Sequence, residues 1–442
     1  MLYSIKTFFL ILTVILVFNA VYPNPTKLSA QETQPTTAQH RTYQFTNGQW
    51  FNGKQFNREI FYSVNGFLTK KKPIQIDQVI DLKNGFVIPP FADAHCHNFD
   101  GAWNIEQQIE KYLKDGVFYA KVQTNTRSGA NQVSGRVNIP TSVDVSYAHG
   151  ALTASFGHGV EVYEGLAILR KPGANTPDEV QKIRASKIRE NDAYYLIDTA
   201  QDLEQKWQRI LAGKPDFLKI YLLSTEEFEK RRNRIDTVGD RGLDPALVPI
   251  IVKKARAVGL RVSAHVDSVT DYRVALKAGV DEMAHMPGYY VEIEDDAGKY
   301  KLTKKDAWQT AQRKIWVIPA PIVHGDWIKK AAREKTDSVL KHNLSLLRAA
   351  KAPIAFGSDR YGSTPLDDVL YISRLGVFTN LEMLEIWCAY TPRTIFPNRK
   401  IGQLREGYEA SFLVLNGNPV NDFGQVKNIG MRFKQGHLLN IK

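Results

Sequence analysis

Eight short apolar runs alternate with helical stretches between residues 85 and 397, an alternation that commits a chain to parallel βα units. The candidate strands cover 87–97, 117–124, 145–153, 217–222, 261–265, 282–285, 315–319 and 354–359. Eight such units close a barrel, so the expected fold class is α/β, a (β/α)8 TIM-type barrel over 85–397. Helix starts are marked between them. Thr176-Pro177-Asp178-Glu179 supplies a capping hydroxyl, a first-turn proline and an acid at the box position, and Asp244-Pro245 opens another helix. The stretch from about 156 to 196 is long for a connection and reads as a lid or substrate loop.

The two ends of the chain read differently. From Tyr43 to Leu82 short alternating segments are separated by turn residues such as Thr46-Asn47-Gly48 and Asn52-Gly53. Near the C-terminus, Ala410 to Leu415 is followed by Asn416-Gly417-Asn418-Pro419 and a second run from Gly430 to His437. Residues 43–84 and 398–442 are therefore expected to pair into one small composite β-sandwich. Ahead of them, Lys6, the apolar stretch from Phe8 to Phe18 and the small-residue site Leu28-Ser29-Ala30 have the order of a secretory signal over 1–30. A polar leader over 31–42 follows, and export to the periplasm or the medium is the expectation.

The formal charge of +12 becomes +10 once Lys6 and Lys27 are removed with the signal. The basic residues are scattered, with short clusters only at Lys70-Lys71-Lys72 and Lys230-Arg231-Arg232, which disfavours nucleic acid as a partner. A small-molecule substrate is expected instead, with no membrane span after signal cleavage and a homo-oligomer left open. Two cysteines, Cys96 and Cys388, are too few for a disulfide-built scaffold, and their pairing stays open.

Chemistry gathers where the predicted strands end. In Asp93-Ala94-His95-Cys96-His97 an extended backbone turns His95 and His97 to one face, where two imidazoles can hold one cation, and Cys96 to the other. Lys219 sits amid Phe217, Leu218, Ile220 and Tyr221, where a bare ammonium is costly. It needs either an ion pair or conversion by CO2 to a carbamate able to bridge two metal ions. His265, His285 and Asp359 end three further strands, and a barrel of this kind places its active site at those ends.

With these residues in this order, the chain from about Tyr43 onward resembles the amidohydrolase superfamily. The carrying motifs are His95-x-His97, Lys219, His265, His285 and Asp359. Asp216-Phe217-Leu218-Lys219-Ile220, Ala284-His285-Met286-Pro287-Gly288 and Gly357-Ser358-Asp359 resemble its imidazolonepropionase-like and prolidase-like group. The resemblance implies two divalent ions, zinc first among them. His95, His97 and Asp359 would bind one and His265 and His285 the other, with carboxylated Lys219 and a hydroxide bridging both. That hydroxide would open a C–N bond of an amide, peptide or cyclic amide, with Asp359 and Lys219 as the catalytic side chains and Asp359 moving the proton to the departing nitrogen.

Three alternatives share the site: an ester or lactone hydrolase, a mononuclear deaminase, and a binding protein without catalysis. Deaminases of this superfamily carry a glutamate three residues after the strand-five histidine, where this chain has Ser268. Arg360, directly after Asp359, is the candidate clamp for a substrate carboxylate. Tyr361, Tyr221, His158, Tyr163 and His324 are further candidates for substrate contact.

Overall fold

Proline punctuates the chain where the first expected strand should run. The computed structural model describes residues 41–322 and 330–441, so the signal over 1–30, most of the leader and His324 lie outside the described residues. Strands β1 (Tyr43–Phe51), β2 (Phe56–Val64), β3 (Phe67–Thr69), β4 (Gln78–Asp81) and β5 (Phe86–Ile88) open the fold. After Pro89-Pro90 come β6 (Phe91–Cys96), β7 (Val117–Val122), β8 (Asp144–Tyr147), β9 (Ala151–Thr153) and β10 (Tyr194–Leu196). Then follow β11 (Leu218–Tyr221), β12 (Val262–His265), β13 (Glu282–Met283), β14 (Trp316–Val317), β15 (Phe412–Leu415), β16 (Ile429–Lys434) and β17 (His437–Leu438).

The single strand expected over 87–97 is thus two. Neither proline can donate to a ladder, so pairing stops there, and the halves join different sheets. β5 enters an eight-stranded sheet ordered β17-β16-β15-β5-β1-β2-β3, with β4 beside β1, so both chain ends contribute to it. Its apolar residues, among them Phe45, Trp50, Phe61, Val87, Phe412 and Phe433, form a cluster of their own. Asn47-Gly48 is not a hairpin turn: it lies inside β1 as a bulge, with the register against β2 shifting between Phe45 and Gly48. The hairpin turns one step later, around Gly53 at φ 97°.

The other strands are parallel, in a sheet ordered β6-β7-β8 and another ordered β10-β9-β11-β12-β13-β14. Residues 145–153 are two strands rather than one, because His149 and Gly150 both take positive φ, 52° and 98°, and turn the chain between sheets. β10, unforeseen in the sequence, pairs with β9. The last expected strand, 354–359, makes a single bridge from Ile354 to Val317, and hydrogen bonds then run from Ala94 N–H to Phe356 O and from Ser358 and Asp359 N–H to His95 O. At the other seam Asp216 N–H donates to Tyr147 O.

Helices and strands together bury one large apolar cluster. The cap at Thr176 forms, its hydroxyl accepting from Glu179 N–H, whereas Asp244-Pro245 opens a 3-10 turn before the helix Val248–Ala257. Among the described residues no helix is long and apolar enough to cross a membrane. Cys96 and Cys388 are buried and unpaired.

Candidate metal centre

Five of the six expected ligands lie at or just past the C-terminal ends of their segments. His95 is the penultimate residue of β6 and His97 lies just beyond it; His265 ends β12, His285 follows β13, and Asp359 closes 354–359. Lys219 is the exception, one residue into β11, so its long side chain rather than its backbone reaches the group. All six line one cavity of about 250 Å3 together with His158, Tyr163, Tyr221 and Tyr361. Arg360 does not line it. With Asp359 turned inward, the next side chain turns out, and its Nη2 donates to Asp367 at 3.1 Å, so the expected carboxylate clamp is a surface ion pair.

Three imidazoles converge on one carboxylate. Asp359 Oδ1 lies 3.0 Å from His95 Nε2 and 2.9 Å from His97 Nε2, and its Oδ2 lies 3.3 Å from His285 Nε2. Ligand atoms of His95, His97 and Asp359 are near enough to one another to share one ion. The tautomers sharpen this. His95 Nδ1 is 2.7 Å from Ala284 O, and a carbonyl only accepts, so the proton sits on Nδ1 and the Nε2 lone pair faces Asp359. His97 Nδ1 faces Thr124 O in the same sense at 3.4 Å. Two acceptors 3 Å apart repel unless a cation lies between them.

Protonation of His95, His265 and His285 is disfavoured. Burial, with Lys219 and His97 nearby, drives His95 down to about 4 against the pull of Asp359, and burial also pushes His285 well below and His265 below the usual range. Burial alone would raise Asp359, and it is positive charge at the positions of His95 and His285 that holds it well below the usual carboxylate range, a charge that a bound cation would supply once these imidazoles are neutral. Among the described residues two imidazole nitrogens here lack a hydrogen bond: His285 Nδ1, and His265 Nε2, which is 3.1 Å from Asp267 Oδ1 without hydrogen-bond alignment. Neutral imidazoles with free lone pairs beside an ionised carboxylate are the donor set that suits a divalent ion.

Lys219 is 1% exposed, and burial, with Lys121 adding to it, lowers its ammonium to about 7 despite Asp359 and Glu282. Among the described residues it has neither an ion pair nor a hydrogen bond; its Nζ lies 5.5 Å from the Tyr221 ring. Tyr221 shares a 2.7 Å hydrogen bond with Thr124 and lies beside His158, whose Nδ1 is held 2.7 Å from Glu161 and whose ring packs 4.6 Å from that of His265. Tyr361 sits 5.4 Å from the His97 ring. Val162, Tyr163 and Pro172 come from the long 156–196 connection, which does wall the cavity.

Tyr289 and Asp267 were not foreseen. Tyr289 stacks on His285 at 4.6 Å and donates its hydroxyl to Asp267. Each had a signal: Asp267 shares the face of His265 by the two-residue strand period, and Tyr289 ends the turn Met286-Pro287-Gly288. Ser268 caps the helix Val269–Ala278, accepting from Asp271 N–H and donating to Glu226.

No family model matches the chain. Over 217 residues it is 30% identical to ochratoxinase of Aspergillus niger, a match that covers 47% of this chain and 43% of that protein, so the chain spans less than half the length of the curated relative it matches. The crystal structure of A. niger ochratoxinase superposes with a TM-score of 0.67 at 16% identity, covering 90% of this chain and 95% of that one. A prolidase complexed with N-methylphosphonate-L-proline gives 0.67 at 17% identity, covering 91% and 100%. Molinate hydrolase gives 0.68 at 14% identity, covering 91% and 95%. At such identities the likeness shows the fold.

Proposed function

We propose, on the premise that the chain's structural neighbours are amidohydrolases and its match to ochratoxinase supports the same superfamily, that it is a metal-dependent hydrolase of C–N bonds in small amides, peptides or cyclic amides. The observation that carries the reading is the convergence of His95, His97 and His285 Nε2 on Asp359, with His95 Nε2 a lone pair rather than a proton. His95, His97 and Asp359 would hold one divalent ion, zinc by preference, and His265 and His285 a second, with Lys219 between them as a carbamate. Bound there, such ions supply the charge that acidifies a water and polarises a carbonyl.

The remaining work falls to the chain. Asp359, kept ionised, is the carboxylate available to accept a proton and return it to the leaving nitrogen, without which an amine departs poorly. Lys219 is prepared for carboxylation because burial frees its lone pair near neutrality: the nitrogen adds to CO2, an N–C bond forms and the amine proton leaves. Tyr163, Tyr221, Tyr289, Tyr361 and His158 line the cavity and would orient the substrate and exclude water around it. Ser268, occupied as a helix cap where a deaminase needs a proton-carrying glutamate, supports hydrolysis over deamination.

The same reading takes 85–397 as a (β/α)8 barrel and 43–84 with 398–442 as a sandwich. It is supported by the hydrogen bonds that continue the parallel strands at 147/216, 317/354 and 94/356. It also takes 1–30 as an export signal. The test is metal analysis with turnover of dipeptides, N-acyl amino acids, cyclic amides and lactones by protein prepared in zinc and bicarbonate. Two ions per chain and amide turnover are expected. Protein that holds no stoichiometric metal would sink the reading.

A further inference from the structure

Asp359 has φ 49°, the left-handed region that an aspartate rarely occupies in a regular segment. Such a backbone persists only where its surroundings hold it, and here the surroundings are side chains from β6, from the residue after His97 and from the helix Ile105–Lys114. Asp93, two residues before His95, accepts at Oδ1 from His95 N–H and Ser358 N–H, both at 3.1 Å, and at Oδ2 from Ser358 Oγ at 2.8 Å. Asn98, one residue after His97, grips the other side: Gly362 N–H donates to its Oδ1 at 2.7 Å and its Nδ2 donates to Ser363 O at 2.9 Å. Tyr112 joins the two, accepting from Asn98 Nδ2 and donating to Asp93 Oδ2, each at 2.9 Å. Asp93 and Asn98 are fully buried.

We infer that Asn98, linked through the Tyr112 hydroxyl to Asp93, is a positioning residue that clamps residues 358–363 and so holds the Asp359 carboxylate over His95 and His97. The inference rests on the metal-centre reading above. Neither Asn98 nor Tyr112 lines the cavity, so both act through Asp359. The bracket fixes the residues on both sides of Asp359, which leaves its carboxylate little freedom to move away from the imidazoles.

The test is zinc affinity, measured by competition with a chromophoric chelator, on the full chain carrying Asn98→Ala or Tyr112→Phe. Losing a hydrogen-bond partner behind a ligand typically weakens metal binding about 10–100-fold. We expect a loss of at least about tenfold for Asn98→Ala and a smaller one for Tyr112→Phe, with kcat reduced and KM unchanged. A purely structural role would lower the melting temperature and leave the affinity of the folded protein unaltered. Tyr112→Phe, which removes one oxygen, keeps the test open where Asn98→Ala folds poorly. Zinc affinity equal to wild type in the folded variants overturns the bracket alone, whereas wild-type protein without stoichiometric zinc overturns the hydrolase reading instead.

Discussion

Lys219 shows how one residue type in one place constrains chemistry. A lysine in an apolar run reads from sequence as a group needing a purpose, and in the structure it is unpaired among the described residues and lines one cavity with His95, His265, His285 and Asp359. Lys219→Met keeps the length of the side chain without the nitrogen. It should retain at most one ion per chain by metal analysis and lose at least about 100-fold in kcat/KM, the top of the range seen when a partner of a metal ligand is lost. Because its ammonium is lowered to about 7, the reactive neutral amine grows as pH rises through that value. Activation of metal-depleted protein by zinc and bicarbonate should therefore be faster at about pH 8 than at about pH 6; equal rates would speak against carboxylation. Arg360 teaches the reverse. Its position after Asp359 suggested substrate contact, but a neighbour in sequence is on the opposite face in space. Arg360→Ala should leave KM for acidic and neutral substrates alike unchanged and shift stability by no more than about 1 kcal/mol, as for an exposed ion pair.

At the scale of elements, seven of the eight expected parallel strands coincide in part with observed ones, 145–153 with both β8 and β9 and the others with β6, β7, β11, β12, β13 and β14, because apolar runs bounded by helix starts and turns carry that signal locally. What the sequence did not disclose depends on partners far away. Pro89-Pro90 splits a run that is apolar throughout, His149-Gly150 breaks another between two sheets, and β10 is strand only because β9 lies beside it. Residues 354–359 pair too sparsely to form a regular strand, yet they deliver Asp359. Their path runs close to β6 at Gly357, where an added Cβ would come within 2.7 Å of both His95 N and His95 Cβ. Backbone cannot yield there cheaply. Gly357→Ala should destabilise the fold by about 1–3 kcal/mol in urea titration, as overpacking does. It should also weaken zinc binding, since relief of the clash displaces His95 from Asp359.

At the scale of the whole molecule, the sheet built from both chain ends is fastened to the parallel strands by buried charge. Lys434 Nζ lies 2.6 Å from Asp144 Oδ1 and Arg399 Nη1 lies 2.8 Å from Asp144 Oδ2, with Arg399 also gripping Glu409. Asp144→Asn would leave two cations facing a neutral amide and should cost about 3–5 kcal/mol in equilibrium unfolding; Lys434→Met, which leaves Asp144 paired with Arg399, should cost less. A reversed order would remove the charge from the account of this seam. That both ends of the chain meet was legible from their matching turn-rich patterns. That the meeting point is an ion cluster was not, because Asp144, Arg399 and Lys434 are far apart in sequence.

The order β17-β16-β15-β5-β1-β2-β3 has a temporal meaning as well. The edge of β5 stays open until residues 412–415 have been synthesised, so the earliest strands must wait for the latest ones. Completion of this sheet therefore waits on the synthesis of β15, and a ribosome-held fragment ending before β15 should remain sensitive to protease throughout Phe86–Ile88.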